Sequence, residues 1–153
     1  MSTQANKIQT HRFKYATPGN PADFNPADFV EKAILWVKSL VRPGEKIALS
    51  ASGGVDSTIA AFLLDRIVGK DLYAFFIEDG CRRLINDAPE GEVTREIFSK
   101  LNFTVLEVRD EILPPLVGLS DGEEKRKTFI GNYRKASDRH IGQVGANWIA
   151  DGT

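Results

Sequence analysis

Between Lys46 and Gly54 the sequence passes from the short apolar run Lys46-Ile47-Ala48-Leu49-Ser50-Ala51 to the glycine pair Gly53-Gly54, and few folds accommodate that change. A run this short, apolar and bounded by glycine reads as a buried strand. From Val55 the residues Ile59, Ala60, Phe62, Leu63 and Ile67 recur at helical spacing as far as Gly69, a glycine placed to close the helix. A second apolar run, Leu72-Tyr73-Ala74-Phe75-Phe76-Ile77, stops at Glu78-Asp79-Gly80 and completes a βαβ unit. Such a unit brings a parallel strand pair and a right-handed crossover.

The rest of the chain extends the alternation. Residues 1–24 are polar, aperiodic and interrupted by Pro18-Gly19 and Pro21, which predicts a flexible leader ahead of one domain over 25–153. Asn25-Pro26 opens a helix to about Leu40, with Phe29, Ala33, Trp36, Val37 and Leu40 on its apolar side. Periodicity then predicts a helix over Pro89 to Leu101 with Val93, Ile97, Phe98 and Leu101 inward, and a strand over Thr104 to Val108. A short helix from Asp110 to Val117 is broken at Pro114-Pro115, a long one runs from Glu123 to about Val144, and Trp148-Ile149-Ala150 forms a last strand. The expected fold class is α/β, a three-layer sandwich with a parallel, Rossmann-like sheet between helices.

Length and charge narrow the choice of partner. At 153 residues there is room for a single sizeable core. The 20 basic and 21 acidic residues create no overall basic field, so no nucleic-acid partner is expected. A single cysteine, Cys81, excludes an internal disulfide framework and agrees with a reducing, cytoplasmic setting. No apolar run approaches the ~20 residues of a spanning helix, so no membrane partner is expected either.

In a parallel sheet, ligands gather at the carboxyl ends of the strands, and the loop leaving the first strand is the favoured phosphate site. Ser52-Gly53-Gly54-Val55-Asp56-Ser57 lies there. Gly53 and Gly54 let the backbone approach an anion closely, and the amides opening the next helix turn their positive end toward it. Ser52 and Ser57 add hydroxyl donors. A carboxylate beside a polyphosphate repels it unless a cation lies between, which makes Asp56 the expected Mg2+ ligand. The plainer alternative is a glycine turn that joins strand to helix, with Asp56 favoured there by the helix dipole. The spacing matches neither the Gly-Lys-Ser/Thr phosphate loop nor the three-glycine dinucleotide fingerprint.

Ser-Gly-Gly-Val-Asp-Ser after a buried strand resembles the PP-loop of the N-type ATP pyrophosphatases. That family includes GMP and NAD synthetases, asparagine and argininosuccinate synthetases, and tRNA-thiolating enzymes, which adenylate a substrate oxygen and release pyrophosphate. Three further blocks are similar to the GMP synthetase branch. Gly118-Leu119-Ser120-Asp121-Gly122-Glu123-Glu124-Lys125-Arg126-Lys127, with Ile130-Gly131, is similar to G-V-T-D-P-E-x-K-R-K-I-I-G. Phe76-Ile77-Glu78-Asp79-Gly80-Cys81-Arg82-Arg83 is similar to F-V-D-N-G-L-L-R, and Ala150-Asp151-Gly152-Thr153 to A-Q-G-T. The resemblance runs from about Phe29 to Thr153. It departs from the pattern at Glu78-Asp79, at Cys81-Arg82, at Gly122 in place of proline, and by one extra residue between Arg126 and Gly131.

The resemblance implies an adenine nucleotide alpha hydrolase-like fold that uses ATP and Mg2+. Nucleotide would be held by Ser50, Ala51, Ser52, Gly53, Gly54, Val55, Asp56, Ser57 and Ile77, with Asp56 and Ser57 catalytic. Lys125-Arg126-Lys127, which unaided reads as a solvated helix face, would supply Arg126 and Lys127 to the phosphate of the substrate nucleotide, XMP. A guanidinium's planar fork suits that anion. The implied reaction is an amide-forming ligation of XMP with ammonia or glutamine nitrogen. Ammonia would come from solution or from a glutamine amidotransferase subunit, because no glutaminase triad is present. Past Thr153 the family pattern continues into a lid segment and a dimerisation domain, so the resemblance implies that the chain is truncated and that the protein is a homodimer through that absent segment. Another PP-loop enzyme, such as an NAD synthetase or a tRNA thiolase, and a non-catalytic nucleotide-binding module are the alternatives.

Remaining residues carry less. Cys81 lacks the G-x-C-x-G elbow of a glutaminase nucleophile and is expected to be a small apolar contact at the end of the second strand. His11 and His140 lack a second ligand at metal spacing. Trp36 and Trp148 are expected in the core.

Overall fold

The computed structural model describes residues 10–16 and 19–151, which divide between Leu40 and Val41 into two compact units. In the first, α1 (Pro26–Leu40) starts as its sequence requires. Asn25 Oδ1 accepts from the N–H groups of Ala27 and Asp28 at 3.1 and 3.2 Å, and Pro26 takes the first helical position, where no N–H is needed. Phe13 and Tyr15, from the segment expected to be a leader, join the aromatic side of α1. Phe13 lies 5.5 Å from both Phe29 and Trp36, and Tyr15 donates to Asp28 Oδ2 at 2.6 Å. Trp36 is half-buried in this cluster rather than enclosed in a core.

The second unit runs β1 (Ile47–Ser50), α2 (Val55–Val68), β2 (Leu72–Glu78), the two-residue strands β3 (Leu84–Ile85) and β4 (Ala88–Pro89), α3 (Glu90–Ile97), β5 (Phe103–Glu107), α4 (Arg109–Ile112), α5 (Gly122–Val144) and β6 (Trp148–Ala150). The main sheet is four-stranded and parallel in the order β5-β2-β1-β6, with Ile47 opposite both Leu72 and Trp148. Side-chain alternation sorts its two faces. Ala48, Phe75 and Ile77 pack with Val108, Ile112 and Ala136 beneath α4 and α5. On the opposite face Gly91 of α3 meets Phe76 and Val105, and Phe98 bridges Phe62 of α2 and Phe103 at 5.8 and 4.9 Å. Ile47, Ala48 and Leu49 are all buried, as a strand covered on both faces must be. The expected three-layer α/β architecture is present.

Several local expectations are corrected. Pro89 belongs not to a helix but to the β3–β4 hairpin, whose Asn86 and Asp87 turn with φ of 50° and 66°. The following helix ends at Ile97, so Ile97 points outward at 45% exposure while Phe98, on the turn, takes the inner position. The third long strand starts one residue early, and Val108 faces the α5 side. On α2 the inward set is Ser57, Ala61 and Leu64, and Ile59 and Phe62 are exposed; small residues at 57 and 61 let the helix sit close over the sheet. Trp148 lies half-buried on the edge strand β6, its Nε1 donating to Glu45 Oε2 at 2.7 Å. Cys81 is exposed, not buried. The chain turns out of the sheet at Gly80 (φ 83°), and the Cys81 N–H donates to Asp79 Oδ1 at 2.8 Å in an Asx turn. No helix among the described residues is long and apolar enough to cross a membrane.

Candidate functional site

The steps from β1 to β2 and from β2 to β5 move the same way across the sheet, with α2 and α3 on one face. Then α5 returns over the other face and sets β6 on the far side of β1. The carboxyl end of β1 is therefore the point where strand order reverses, the place where open α/β sheets hold ligands. The serine-glycine loop leaves from that point.

Ala51 extends the sheet by one bond, its N–H donating to Phe75 O at 2.8 Å, and Ser50 and Ser52 are exposed on either side. Gly53 takes φ 78°, which a side chain rarely adopts. Gly54 caps α2 without any side-chain hydrogen bond, and among the described residues no side chain claims the first-turn amides of Val55, Asp56 and Ser57. Ser52 Oγ and Ser57 Oγ approach to 3.3 Å, and Ser57 Oγ also donates to Gly54 O at 3.1 Å. Ser57 is buried, whereas Val55 and Asp56 project outward. The result is a strip of first-turn N–H groups beside two mutually bonded hydroxyls, with one exposed carboxylate next to them. Among the described residues no group of three His, Cys, Asp or Glu side chains can hold a metal. Asp56 could still hold Mg2+ as one ligand beside phosphate oxygens and water, the usual arrangement for that ion.

The other site residues fall into two groups. Ile77 is 1% exposed within the core cluster, and its carbonyl accepts from Arg82 Nε at 3.0 Å. Arg82 is further held by Asp79 at 3.2 Å and lies 4.9 Å over the Phe76 ring. Arg126 and Lys127 stand on the first turns of α5. Since α5 leads back to the amino end of β6, its own start lies toward the carboxyl edge of the sheet, on the side of the loop. Asp121 caps it by accepting from the Glu124 N–H at 2.7 Å. Residues 122–127 are exposed, and packing begins at Phe129 and Tyr133, so this turn projects past the sheet. Arg126 makes two 2.8 Å bonds to Glu123, and Lys127 lies 3.7 Å from the same carboxylate. Those bonds hold Glu123 below and Arg126 above their ordinary pKa values.

Two features escaped the sequence reading. Thr94 of α3 fills the space that a Cβ on Gly53 would need, 3.2 Å from its Oγ1, a proximity no local pattern announces. A cleft of about 810 Å³ lies between the hairpin, α3 and the ends of β2 and β5, lined in part by Glu78, Glu90, Glu107, Arg82, Arg95 and Arg109. None of residues 52–57 lines it.

No protein-family model matches the chain. Curated proteins do. The chain is 37% identical over 130 residues to a subunit of the glutamine-hydrolyzing GMP synthase of Methanothermobacter thermautotrophicus, covering 84% of this chain and 41% of that protein. It is 33% identical over 147 residues to the glutamine-hydrolyzing GMP synthase of Oleidesulfovibrio alaskensis, covering 94% of this chain and 28% of the relative. These similarities, over most of this chain, support a PP-loop ATP-pyrophosphatase domain. Its PP-loop fold is shared with an NH3-dependent NAD synthetase from Campylobacter jejuni, with a TM-score of 0.61 at 15% identity over 83% of this chain and 56% of that one. That likeness bears on fold alone. The chain thus spans less than half the length of these GMP synthase relatives.

Proposed function

We propose that the chain supplies the ATP-pyrophosphatase part of an amide-forming ligase that acts as GMP synthases do. One observation carries the reading: at the switch point of the sheet, the first-turn N–H groups of α2, with no side-chain cap, lie beside the paired hydroxyls of Ser52 and Ser57, an arrangement that suits a polyphosphate. The sequence relatives favour XMP as the nucleotide to be aminated, whereas the NAD synthetase likeness is one of fold.

On this reading the C2 oxygen of XMP attacks the α-phosphorus of ATP, and the bond to pyrophosphate breaks. Ammonia then adds at C2, and AMP leaves with the oxygen. The loop amides and both hydroxyls stabilise the negative charge that grows on the departing pyrophosphate. Asp56 is the carboxylate placed to hold Mg2+, which would screen that charge. Arg126, released from Glu123, supplies a planar fork to the XMP phosphate, with Lys127 adding charge. Ammonia would be drawn from solution or from a glutamine amidotransferase partner.

Calorimetric titration with ATP and Mg2+, with and without XMP, run beside a pyrophosphate-release assay, tests the proposal. Turnover stimulated by XMP and ammonium supports it. Binding of ATP without XMP-dependent turnover would leave a nucleotide-binding module, and no binding at all would sink the reading.

A further inference from the structure

Two conditions at Gly53 coincide. Its φ of 78° is left-handed, and a Cβ built on it would stand 3.2 Å from Thr94 Oγ1, tighter than ordinary contact. Thr94 is 2% exposed. Its hydroxyl proton is committed, since Oγ1 donates to Glu90 O at 2.7 Å, so the oxygen and not the hydrogen faces the loop. Glu90 is itself fixed: its N–H donates to Arg83 O at 3.2 Å, and its carboxylate accepts from Arg83 Nε at 2.8 Å.

We propose that Thr94 is a positioning residue for the phosphate loop, its locked hydroxyl oxygen forming the floor on which Gly53 rests and setting the depth of the loop's donors. The inference rests on the nucleotide-binding reading of that loop. An oxygen is smaller than a methyl group, so Thr94→Val should crowd the space behind Gly53, and Thr94→Ala should leave that space empty. The lost hydroxyl bond orphans nothing, because in an α-helix Glu90 O also accepts the main-chain N–H four residues on. Fold and position can therefore be separated by experiment.

The intact chain and its Thr94→Ser, Thr94→Val, Thr94→Ala, Gly53→Ala and Gly53→Ala/Thr94→Ala variants are titrated with Mg2+-ATP and with pyrophosphate, and their thermal unfolding is followed. Thr94→Ser should bind within about twofold of wild type, and Thr94→Val should bind pyrophosphate about fivefold to tenfold more weakly, by analogy with the cost of small misplacements at reacting groups. The Tm of Thr94→Val should stay within about 3 °C of wild type. Gly53→Ala should bind more weakly still, and the double variant should recover part of that loss, because the clash is relieved while the backbone strain remains. Thr94→Val binding as wild type, or a double variant no better than Gly53→Ala, overturns the proposal. If Thr94→Val does not fold, the contrast of Thr94→Ser with Thr94→Ala decides: equal binding overturns it, and weaker binding by Thr94→Ala supports it. A wild-type chain that binds neither ligand sinks the nucleotide reading along with this one, whereas normal wild-type binding with unaffected Thr94 variants sinks this one alone.

Discussion

Asp56 stands exposed on the first turn of α2 and forms no ion pair among the described residues, although its neighbours in the loop are hydrogen-bonded to one another. A carboxylate so placed contributes little to the fold, so its substitution is a clean test of chemistry. Asp56→Asn should weaken ATP binding about tenfold in Mg2+ and less than about twofold in EDTA. Equal losses in the two titrations would remove its metal role. His140 offers a different residue-scale test. Its ring lies 4.9 Å from Phe75, edge to face, and burial holds its pKa below the ordinary 6.5. The unfolded chain therefore takes up a proton that the folded chain resists, so stability is full above that value and declines as pH falls below it. His140→Gln should flatten the change in urea midpoint between about pH 7.5 and about pH 5.5. Glu45, Glu111 and Glu123, held below their ordinary 4.5, act in a separate and more acidic window.

Among the elements, α5 carries two tasks along its length. Its middle packs Ala136 and Tyr133 against the sheet, and its first turns extend beyond it with Arg126. The Asp121 cap secures that extension. Asp121→Ala should cost about 1 kcal/mol in urea unfolding, and a loss below about 0.3 kcal/mol would show that the turn frays without consequence. Elements with strong local signals were legible in the sequence: Asn25-Pro26 at the start of α1, the extent of α5 to Val144, and the β1-loop-α2 succession. Legibility failed where tertiary contact decides. The inward face of α2 follows the small residues Ser57 and Ala61 rather than the larger apolar ones, and the Asn86-Asp87 turn overrode a helical pattern that began at Pro89. The loop's donors could be read from residue order, but the support that Thr94 gives from another helix could not.

At the scale of the molecule, the second unit is one sheet between two helical layers, and Phe75 is the large side chain that meets β1 and α5 at once. Phe75→Ala should lower unfolding free energy by about 3 to 5 kcal/mol in urea, and a smaller change would mean the layers collapse to fill the space. The same sheet has a temporal side. β1 pairs with β2 across a short helical connection, but Ile47 meets Trp148 only after some hundred intervening residues. During synthesis one flank of β1, with its unbroken Ile47-Ala48-Leu49, stays bare until residues 148–150 leave the ribosome. A nascent chain arrested before that point would offer a sticky strand border to its neighbours, which makes the last strand as much a guard against aggregation as a part of the fold.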